Sequence, residues 1–549
     1  MSEPEIDSFL ADTLSVMDEV GLWTLTKSVQ DNAERYTDKV FIESPIGDVS
    51  WKTFNENVNK IANGLNALDL RVGDHIGLYT SPSPYYLFAY FGALRAGLVC
   101  VPIGTRLKLD EVSYEINQSN CTAIIVSAEY AELAKACLPL CSSLRRIIEC
   151  DLDSLHGGHL ELNLMIDEGD PICSLPQPTV WDAAMILYTS GTTARPKGVM
   201  MKHGHLVQWA LNVSKACGYR SEDRVLHFFP MYHGNGGVSL IMPVVLRGAT
   251  LVLIEKFSAS RFGEQAVVSK ATVSALNASH VKMILNHPET KFDVRGSIDR
   301  IHYSLPLTPD ERKTFAERFN SPQLMELYGL TEGMGVTMCT PLDGAAKPGS
   351  VGLVVPGYKV ALVSASGQPV PQGQVGEIVI SSLSRFGVAD GYFGDPEATA
   401  QAFRSDGLWT GDTAYMDEDG YFWYVERSKD MIKRSGFNVA PSEVERVLRT
   451  VPGISDVSVV GIVDEIREQS VVAFVVVGED SSEIIAKADN MCLEYLADYK
   501  IPEHYIAISE LPVNHVGKVD KKILRAQATE LLIGVSEERP TFTSFRSNG

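Results

Sequence analysis

The chain has 549 residues, of which 45% are hydrophobic and 21% charged, a composition typical of well-packed globular proteins and not of disordered or fibrous ones. This length corresponds to roughly three to four ordinary domains, or to one large unit with an appendage, so a single small binding module is excluded. The formal net charge of -21 repels nucleic acid and anionic lipid, so an anionic ligand requires a local cluster of cations.

Cysteine usage and the apolar segments indicate the compartment. The nine cysteines include no C-x-x-C pair, which argues against a disulfide framework or a zinc ribbon and favours a reducing compartment. Residues 1–20 are acidic and lack the basic flank and apolar core of a signal peptide. The apolar stretch from Tyr85 to Leu94 ends at Arg95 and is too short to span a bilayer. The sequence therefore predicts a cytoplasmic protein without a membrane span.

The pattern of secondary structure changes twice along the chain. From about 40 to 329, short β-branched runs alternate with amphipathic stretches, which is typical of parallel sheets covered by helices on both faces. Between about 349 and 425, strand signals punctuated by Gly and Pro predict a β-rich subdomain. After 427 the pattern predicts a compact α+β domain of about a hundred residues, which is an ordinary domain size.

The strongest local signal follows the apolar run A-A-M-I-L. From Tyr188 to Gly198 the chain reads Y-T-S-G-T-T-A-R-P-K-G, and such hydroxyl and glycine residues can turn backbone N–H groups and hydroxyls toward phosphate oxygens, with Lys197 adding a charge. The Walker A pattern G-x-x-x-x-G-K-[ST] is absent here. The segment therefore predicts a phosphate-binding loop of another kind.

This loop resembles the signature of the adenylate-forming superfamily, which contains acyl-CoA synthetases, nonribosomal adenylation domains and beetle luciferases. Further segments resemble the remaining signatures in the expected order, and together they cover nearly the whole chain. They are Y-G-L-T-E at 328–332, G-L-W-T-G-D at 407–412, E-R-S-K-D at 426–430 with 433–437, and N-H-V-G-K at 514–518.

The resemblance implies an α/β fold with a large N-terminal domain of two helix-covered sheets plus the β-rich subdomain, hinged to a small α+β C-terminal domain. We expect the adenylation domain over 1–428, the mobile C-terminal domain over 429–535 and a tail over 536–549. The implied function is ATP-dependent activation of a carboxylic acid as an acyl-adenylate, with release of pyrophosphate, followed by transfer to CoA. Delivery to a carrier-protein thiol, a luciferase-like oxidation and an AMP sensor without turnover are the alternatives.

The resemblance also implies which residues contact the nucleotide. Tyr328 would stack on adenine, Asp412 would bind the ribose hydroxyls, and Arg427 would support the ribose or the phosphates. Glu332 would ligate Mg²⁺ with help from Thr192, since this ion prefers oxygen ligands. The full ATP and AMP set is Thr189, Ser190, Gly191, Thr192, Thr193, Lys197, Tyr328, Gly329, Thr331, Asp412 and Arg427.

The C-terminal motifs imply two catalytic states. Lys518 would supply the cation of the first half-reaction, and rotation at the hinge residue Lys429 would replace it with a segment that contacts CoA. The residues expected along CoA are Lys433, Ser435, Gly436 and Phe437.

Two segments are expected to form the acid pocket. They contribute Tyr232, His233, Gly234, Gly236, Gly237, Tyr303 and Leu305. His233 resembles a gate beside the carboxylate, and the bulky Tyr303 and Leu305 resemble the crotonobetaine/carnitine-CoA ligase subgroup. Tyr232, Tyr303 and Trp209 could face a betaine cation, whereas the three glycines suggest space for a bulkier apolar acid. The identity of the acid stays open. The implied partners are the acid, ATP, Mg²⁺ and CoA, and a homodimer is one option for the oligomeric state.

Overall fold

The computed structural model describes residues 23–153, 155–156, 159–189, 195–288, 298–304, 307–319, 322–342, 346–427, 430–434, 437–464, 468–478, 481–514, 518–532 and 541–544. In this part of the chain the helices, α1 to α15 in order, are Leu25–Tyr36, Trp51–Ala67, Pro84–Arg95, Leu109–Gln118, Ala131–Cys137, Glu161–Glu168, His203–Ala216, Ile241–Arg247, Phe262–Val268, Ala278–Leu285, Pro309–Arg318, Pro396–Ala402, Pro441–Leu448, Ser481–Tyr495 and Lys521–Leu532.

The strands of the same ranges are numbered β1 to β26. They are Val40–Glu43, Val49–Ser50, His75–Tyr79, Val99–Pro102, Cys121–Ser127, Arg146–Cys150, Ala183–Thr189, Lys197–Lys202, Arg224–His227, Thr250–Leu253, Val273–Asn277, Arg300–Ser304, Gln323–Leu330, Gly335–Cys339, Leu353–Val354, Tyr358–Val363, Gly376–Ser382, Phe403–Arg404, Gly407–Met416, Phe422–Arg427, Ile432–Arg434, Phe437–Val439, Ile454–Asp464, Glu468–Val477, His504–Ile508 and Thr541–Ser544.

The largest sheet among the described residues has nine strands in the order β15-β14-β13-β12-β11-β9-β10-β1-β2. Its inner strands, from β13 to β1, pair in parallel, and antiparallel pairs close both edges. The carboxyl ends of parallel strands meet at one edge, which is where open α/β sheets bind ligands. The segments that follow β9, β11, β12 and β13 therefore converge there.

A second sheet has the order β6-β5-β3-β4-β7-β8, with an antiparallel β7–β8 pair and parallel pairs elsewhere. One face packs on a cluster of apolar side chains that includes Val101, Ile124 and Val126, all fully buried. Helix α3 is buried along its whole length, with Ser83 capping its N-terminus and Pro84 at the first turn, where proline is well tolerated. These two sheets and their helices confirm the α/β prediction.

The remaining strands form two more sheets. One has five strands in the order β16-β17-β19-β18, with β20 paired to β19. The other has six, in the order β22-β21-β24-β25-β26 with β23 paired to β24. The faces of this last sheet pack on separate apolar clusters, one containing Val459 and Tyr505 and the other Phe474 and Leu524.

The chain divides into two compact units. The first contains 1–360, 379–409 and 420–422, and the second contains 361–378, 410–419 and 423–549. Across the described ranges, no helix has both the length and the apolar character needed to cross a bilayer.

Candidate active site

The strands that flank the glycine- and hydroxyl-rich segment pair with each other. In the antiparallel β7–β8 pair, Thr189 lies opposite Lys197 and Tyr188 opposite Gly198. The two ends of the predicted phosphate loop therefore meet, and Lys197 stands half-buried at its base. The predicted loop residues Ser190, Gly191, Thr192 and Thr193 lie outside the described residues, so their phosphate contacts stay predictions.

Helix α4 supports both arms of this strand pair. The hydroxyl of Tyr114 donates to the carbonyl oxygen of Pro196 at 3.1 Å, and the Arg195 guanidinium lies 4.9 Å from the centre of the Tyr114 ring. On the other arm, the hydroxyl of Tyr188 donates to the carbonyl oxygen of Glu115 at 3.1 Å. The motif did not identify these supports, because they come from a helix far away in sequence.

Glu332 lies in a short turn at the end of β13. Its carboxylate Oε1 accepts a hydrogen bond from the Tyr392 hydroxyl at 2.8 Å, and its carbonyl oxygen accepts one from the Ala389 N–H at 2.9 Å. The Lys197 ammonium lies 5.0 Å from the centre of the Tyr392 ring. Tyr392 therefore brings the predicted metal ligand and the predicted phosphate-binding lysine to a single side chain.

The backbone after this turn adopts left-handed conformations. Gly335 has φ +79°, and a Cβ atom there would lie 2.1 Å from Nε1 of Trp209. Gly329 faces this point, since its own Cβ would lie 1.7 Å from the carbonyl oxygen of Gly335. The glycine of the Y-G-L-T-E motif is thus required by backbone packing. Tyr328 beside it is buried, and its stacking on adenine stays a prediction.

A cluster of buried polar side chains connects β12, β13 and α11. Tyr303 pairs with Glu326 across β12 and β13, and its hydroxyl donates to Oε2 of Glu326 at 3.1 Å. Arg312 of α11 donates to the Tyr303 hydroxyl at 2.7 Å and to the Leu324 carbonyl oxygen at 2.9 Å. Burial raises the pKa of Glu326 to about 7, while Tyr303 and Arg312 oppose the rise.

This cluster was not foreseen from the sequence. Tyr303 was expected in the wall of the acid pocket, and that role stays a prediction, as does Leu305, which lies outside the described residues. The sequence signal for this cluster was the tyrosine at 303. A buried tyrosine, here with 2% of its surface exposed, needs a hydrogen-bond partner for its hydroxyl.

The segment expected beside the acid forms a π-helix over Gly234–Leu240, a conformation that is frequent at functional sites. His233 precedes it and accepts a hydrogen bond on Nδ1 from the Asn235 N–H at 3.3 Å. A Cβ at Gly234 would face Trp209 at 3.1 Å, Leu187 at 3.4 Å and the Thr331 hydroxyl at 3.5 Å. Gly234 thus lies between apolar side chains and a residue of the predicted ATP site.

The other two glycines have a different explanation from the one expected. A Cβ at Gly236 would lie 2.2 Å from the carbonyl oxygen of Pro230, and one at Gly237 would lie 2.0 Å from that of Met231. These glycines allow the backbone of the π-helix to pack on the preceding segment. The inference that their missing side chains leave space for a bulky acid is therefore wrong for both positions, although their place in the pocket stays a prediction.

Tyr232 is buried, with 8% of its surface exposed. Burial raises the pKa of its phenol, whereas Arg106 and Thr105 lower it. A Cβ at Gly104 would lie 3.4 Å from the Tyr232 ring. The ring is therefore held against the segment that follows β4.

In the second unit, three charged residues of separate motifs influence one another. Nε of Arg427 lies 3.1 Å from Oδ1 of the buried Asp412. The surrounding protein lowers the pKa of the Lys518 ammonium, Arg427 lowers it further, and Asp412 opposes both, although the Lys518 residue still reaches solvent. Motifs that are far apart in sequence thus place two cations near one carboxylate.

Asn514, the first residue of the N-H-V-G-K segment, contacts Lys518 through both its side chain and its backbone. Its side-chain oxygen accepts a hydrogen bond from the Lys518 N–H at 3.1 Å, and its own N–H donates to the Lys518 carbonyl oxygen at 2.7 Å. The asparagine therefore links the start of this segment to the backbone of Lys518.

The predicted CoA segment is described in part. Lys433 is exposed on β21, and its N–H donates to the side-chain oxygen of Gln469 at 2.7 Å. Phe437 begins β22, which pairs antiparallel with β21. The predicted residues Lys429, Ser435 and Gly436 lie outside the described residues.

The chain matches two family models. The model described as AMP-binding enzyme matches residues 29–393, and that of the AMP-binding enzyme C-terminal domain matches residues 443–518. Among curated proteins, the crotonobetaine/carnitine–CoA ligase of Salmonella paratyphi A is 32% identical over 520 residues, which cover 93% of this chain and 100% of the relative. That of Escherichia fergusonii is also 32% identical, over 521 residues with the same coverage.

Solved structures agree with these matches. ATP-bound MatB from Rhodopseudomonas palustris is similar with a TM-score of 0.85 and 26% identity, covering 92% of this chain and 99% of that one. The anthranilate CoA ligase AuaEII in complex with anthranoyl-AMP has a TM-score of 0.85 and 25% identity, covering 93% and 98%. The chain therefore belongs to the AMP-binding enzyme family, and within it to the ATP-dependent, AMP-forming acyl-CoA ligases.

Proposed function

We propose that this ligase activates a medium-sized, largely apolar carboxylic acid, and that its site residues divide between two half-reactions. The observation that carries the proposed nucleotide site is the meeting of Glu332 and Lys197 at Tyr392. A carboxylate suited to a metal ion and a cation suited to phosphate come from separate motifs. Their proximity is what a site for a metal-bound nucleotide requires.

In the first half-reaction, the acid carboxylate attacks the α-phosphorus of ATP and pyrophosphate leaves. Both reactants are anions, so cations placed where charge develops are the largest expected contribution to the rate. We assign this task to Lys518, with Lys197 on the phosphates and Arg427 beside Asp412 at the ribose. The electrostatic influence of Arg427 and Asp412 on the pKa of Lys518 supports the assignment, because charges affect one another in this way only at short range.

Glu332 and Thr192 are the residues that would hold Mg²⁺. A carboxylate and a hydroxyl are oxygen donors, which suit this ion together with substrate phosphates. When bound, Mg²⁺ neutralises phosphate charge. Glu332 fits this role because its carboxylate is oriented by the hydroxyl of Tyr392 and is half-buried.

In the second half-reaction, the CoA thiol attacks the acyl carbon and AMP leaves. We propose that Lys429 is the hinge between a domain over 1–428 and a mobile domain over 429–535, with a tail over 536–549. Rotation there would withdraw Lys518 and bring in the CoA segment, whose predicted residues are Lys433, Ser435, Gly436 and Phe437. The antiparallel pairing of β21 with β22 supports a role for this segment as one unit.

The apolar acid is favoured over a betaine by the surroundings of two aromatic residues. Leu187 and the Trp209 ring face Gly234, and Leu187 makes this wall suit an apolar acid, although the Trp209 ring would also attract a cation. Tyr303 was one ring that could face a cation, but the Arg312 guanidinium already lies 6.0 Å from its centre and would repel a second cation. We further propose a cytoplasmic location, and a homodimer stays a prediction.

Lys518→Ala tests the assignment of site residues to the two half-reactions. We expect a loss of about 10² to 10³ in pyrophosphate release, the range for removing one preorganised charge contact, while thioester formation from a supplied acyl-adenylate persists. Lys522→Ala is the matched control, because Lys522 lies on the same terminal segment and is exposed. Equal losses in both half-reactions would contradict the division.

A further inference from the structure

The segment 389–393 connects two parts of the site that the motifs do not join. It lies between β17 and α12. On one side, the Phe393 N–H donates to the Gly198 carbonyl oxygen at 2.8 Å and the Met200 N–H donates to the Gly391 carbonyl oxygen at 3.0 Å. On the other side, the segment contacts Glu332 through the Ala389 N–H, as described above. The segment therefore holds β8, which begins with Lys197, against the turn that carries Glu332.

Within this segment, the side chain of Tyr392 contacts both functional residues. The hydroxyl bonds the Glu332 carboxylate and the ring faces the Lys197 ammonium. Phe403 contacts the ring edge-on with centroids 5.5 Å apart, and the Tyr392 N–H donates to the Thr399 hydroxyl at 2.9 Å. The backbone of Tyr392 is thus held from α12 and its ring from β18, independently of Glu332 and Lys197.

The two contacts have different physical origins. A hydroxyl that donates to a carboxylate forms a strong charge-assisted hydrogen bond, which fixes the orientation of the carboxylate. The face of an aromatic ring is negative and attracts an ammonium. One side chain can therefore hold an anion and a cation at a fixed separation.

We propose that Tyr392 is a positioning residue that orients the Glu332 carboxylate for the metal ion and holds the Lys197 ammonium beside it. The inference rests on the proposed function, because it takes Glu332 as a metal ligand and Lys197 as a phosphate-binding residue. Residues that orient metal ligands typically contribute 10- to 100-fold to metal affinity or activity. Tyr392 thus acts through Glu332 and Lys197 and does not itself touch the reacting atoms.

The two contacts are separated by two substitutions. Tyr392→Phe removes the hydroxyl and keeps the ring, whereas Tyr392→Leu removes both. The control is Tyr130→Phe, which likewise removes one phenol hydroxyl, here one that bonds Ser81 at 3.2 Å. Mn²⁺ affinity is measured by electron paramagnetic resonance with a non-hydrolysable ATP analogue, and affinity for the metal-free analogue by calorimetry in a chelator.

We expect Tyr392→Phe to weaken Mn²⁺ binding by about 10-fold and to leave metal-free nucleotide binding within about twofold. Tyr392→Leu should weaken both, because Lys197 loses its ring. Tyr130→Phe should change neither. Unchanged Mn²⁺ affinity in Tyr392→Phe would overturn the inference.

Glu332→Gln separates this inference from the proposed function. If Glu332→Gln binds Mn²⁺ as tightly as the wild type, the metal assignment itself fails. If it binds weakly and Tyr392→Phe binds normally, only the role of Tyr392 fails. Adding Tyr392→Phe to Glu332→Gln should cause no further loss of Mn²⁺ affinity, and a further loss of 10-fold would indicate general structural damage and refute the positioning role.

Discussion

Glu115 should make the protein less stable as the pH rises, and Glu115→Gln should remove this effect. Glu115 lies on α4 with 4% of its surface exposed. Within the described part of the chain, its buried Oε2 has no hydrogen-bond partner. Burial, with a smaller contribution from Glu111, raises the pKa of Glu115 from 4.5 to about 8. The carboxyl group is therefore protonated in the folded protein at neutral pH.

The sign and size of the effect follow from the two pKa values. Because the folded pKa is raised, the stability contributed by the bound proton is fully present below pH 4.5 and is lost as the pH rises through about 8. At about 1.4 kcal/mol for each pH unit between the two values, the full loss is at most about 5 kcal/mol. Glutamine keeps the volume and cannot ionise, so the variant should match the wild type near pH 5 and exceed its melting temperature by several degrees at pH 8.

The assay is thermal unfolding of both proteins at pH 5, 6.5 and 8. The control is Glu317→Gln, because Glu317 is an exposed residue of α11 and should give the same melting temperature as the wild type at each pH. A difference in melting temperature between Glu115→Gln and the wild type that stays constant from pH 5 to 8 would show that the folded pKa of Glu115 is not raised.

Two further substitutions test the backbone and the C-terminal unit. Gly335→Ala should reduce the rate of pyrophosphate release by at least about 10-fold, because the added Cβ would lie 2.1 Å from Trp209 and displace nearby groups. The control is Gly373→Ala, because Gly373 has φ +82° and open space around it. This control introduces the backbone strain alone and should leave the rate within about twofold. Lys521→Met should lower the free energy of unfolding by about 3 kcal/mol in a denaturant titration, because it leaves the largely buried Glu426 and Glu445, at 3.4 and 3.2 Å, without their cation. The control Lys522→Met should change this free energy by less than about 0.5 kcal/mol.

The fold class was predictable from local pattern. The alternation of β-branched runs with amphipathic stretches predicted the parallel sheets, because short β-branched runs are typical of buried strands and amphipathic stretches of helices. The position of the predicted phosphate loop after a strand was also predictable, because the loop follows the apolar run A-A-M-I-L, which lies in β7.

The supporting contacts were not predictable in the same way. Tyr392 and Arg312 reach the site from segments distant in sequence, and no local period records which side chain a buried hydroxyl will meet. Gly236 shows the opposite error, because a missing side chain in the sequence can indicate either open space or close backbone packing. Only the positions of neighbouring atoms decide between the two.

The most direct test follows an oxygen atom through the reaction. An accepted carboxylic acid labelled with ¹⁸O at both carboxylate oxygens is incubated with ATP, Mg²⁺ and CoA, and the products are analysed by mass spectrometry. Attack of the carboxylate on the α-phosphorus, followed by thiol attack on the acyl carbon, transfers one carboxylate oxygen to AMP. These two steps predict one ¹⁸O atom in AMP for each acyl-CoA formed. Unlabelled AMP, or label in pyrophosphate, would contradict them.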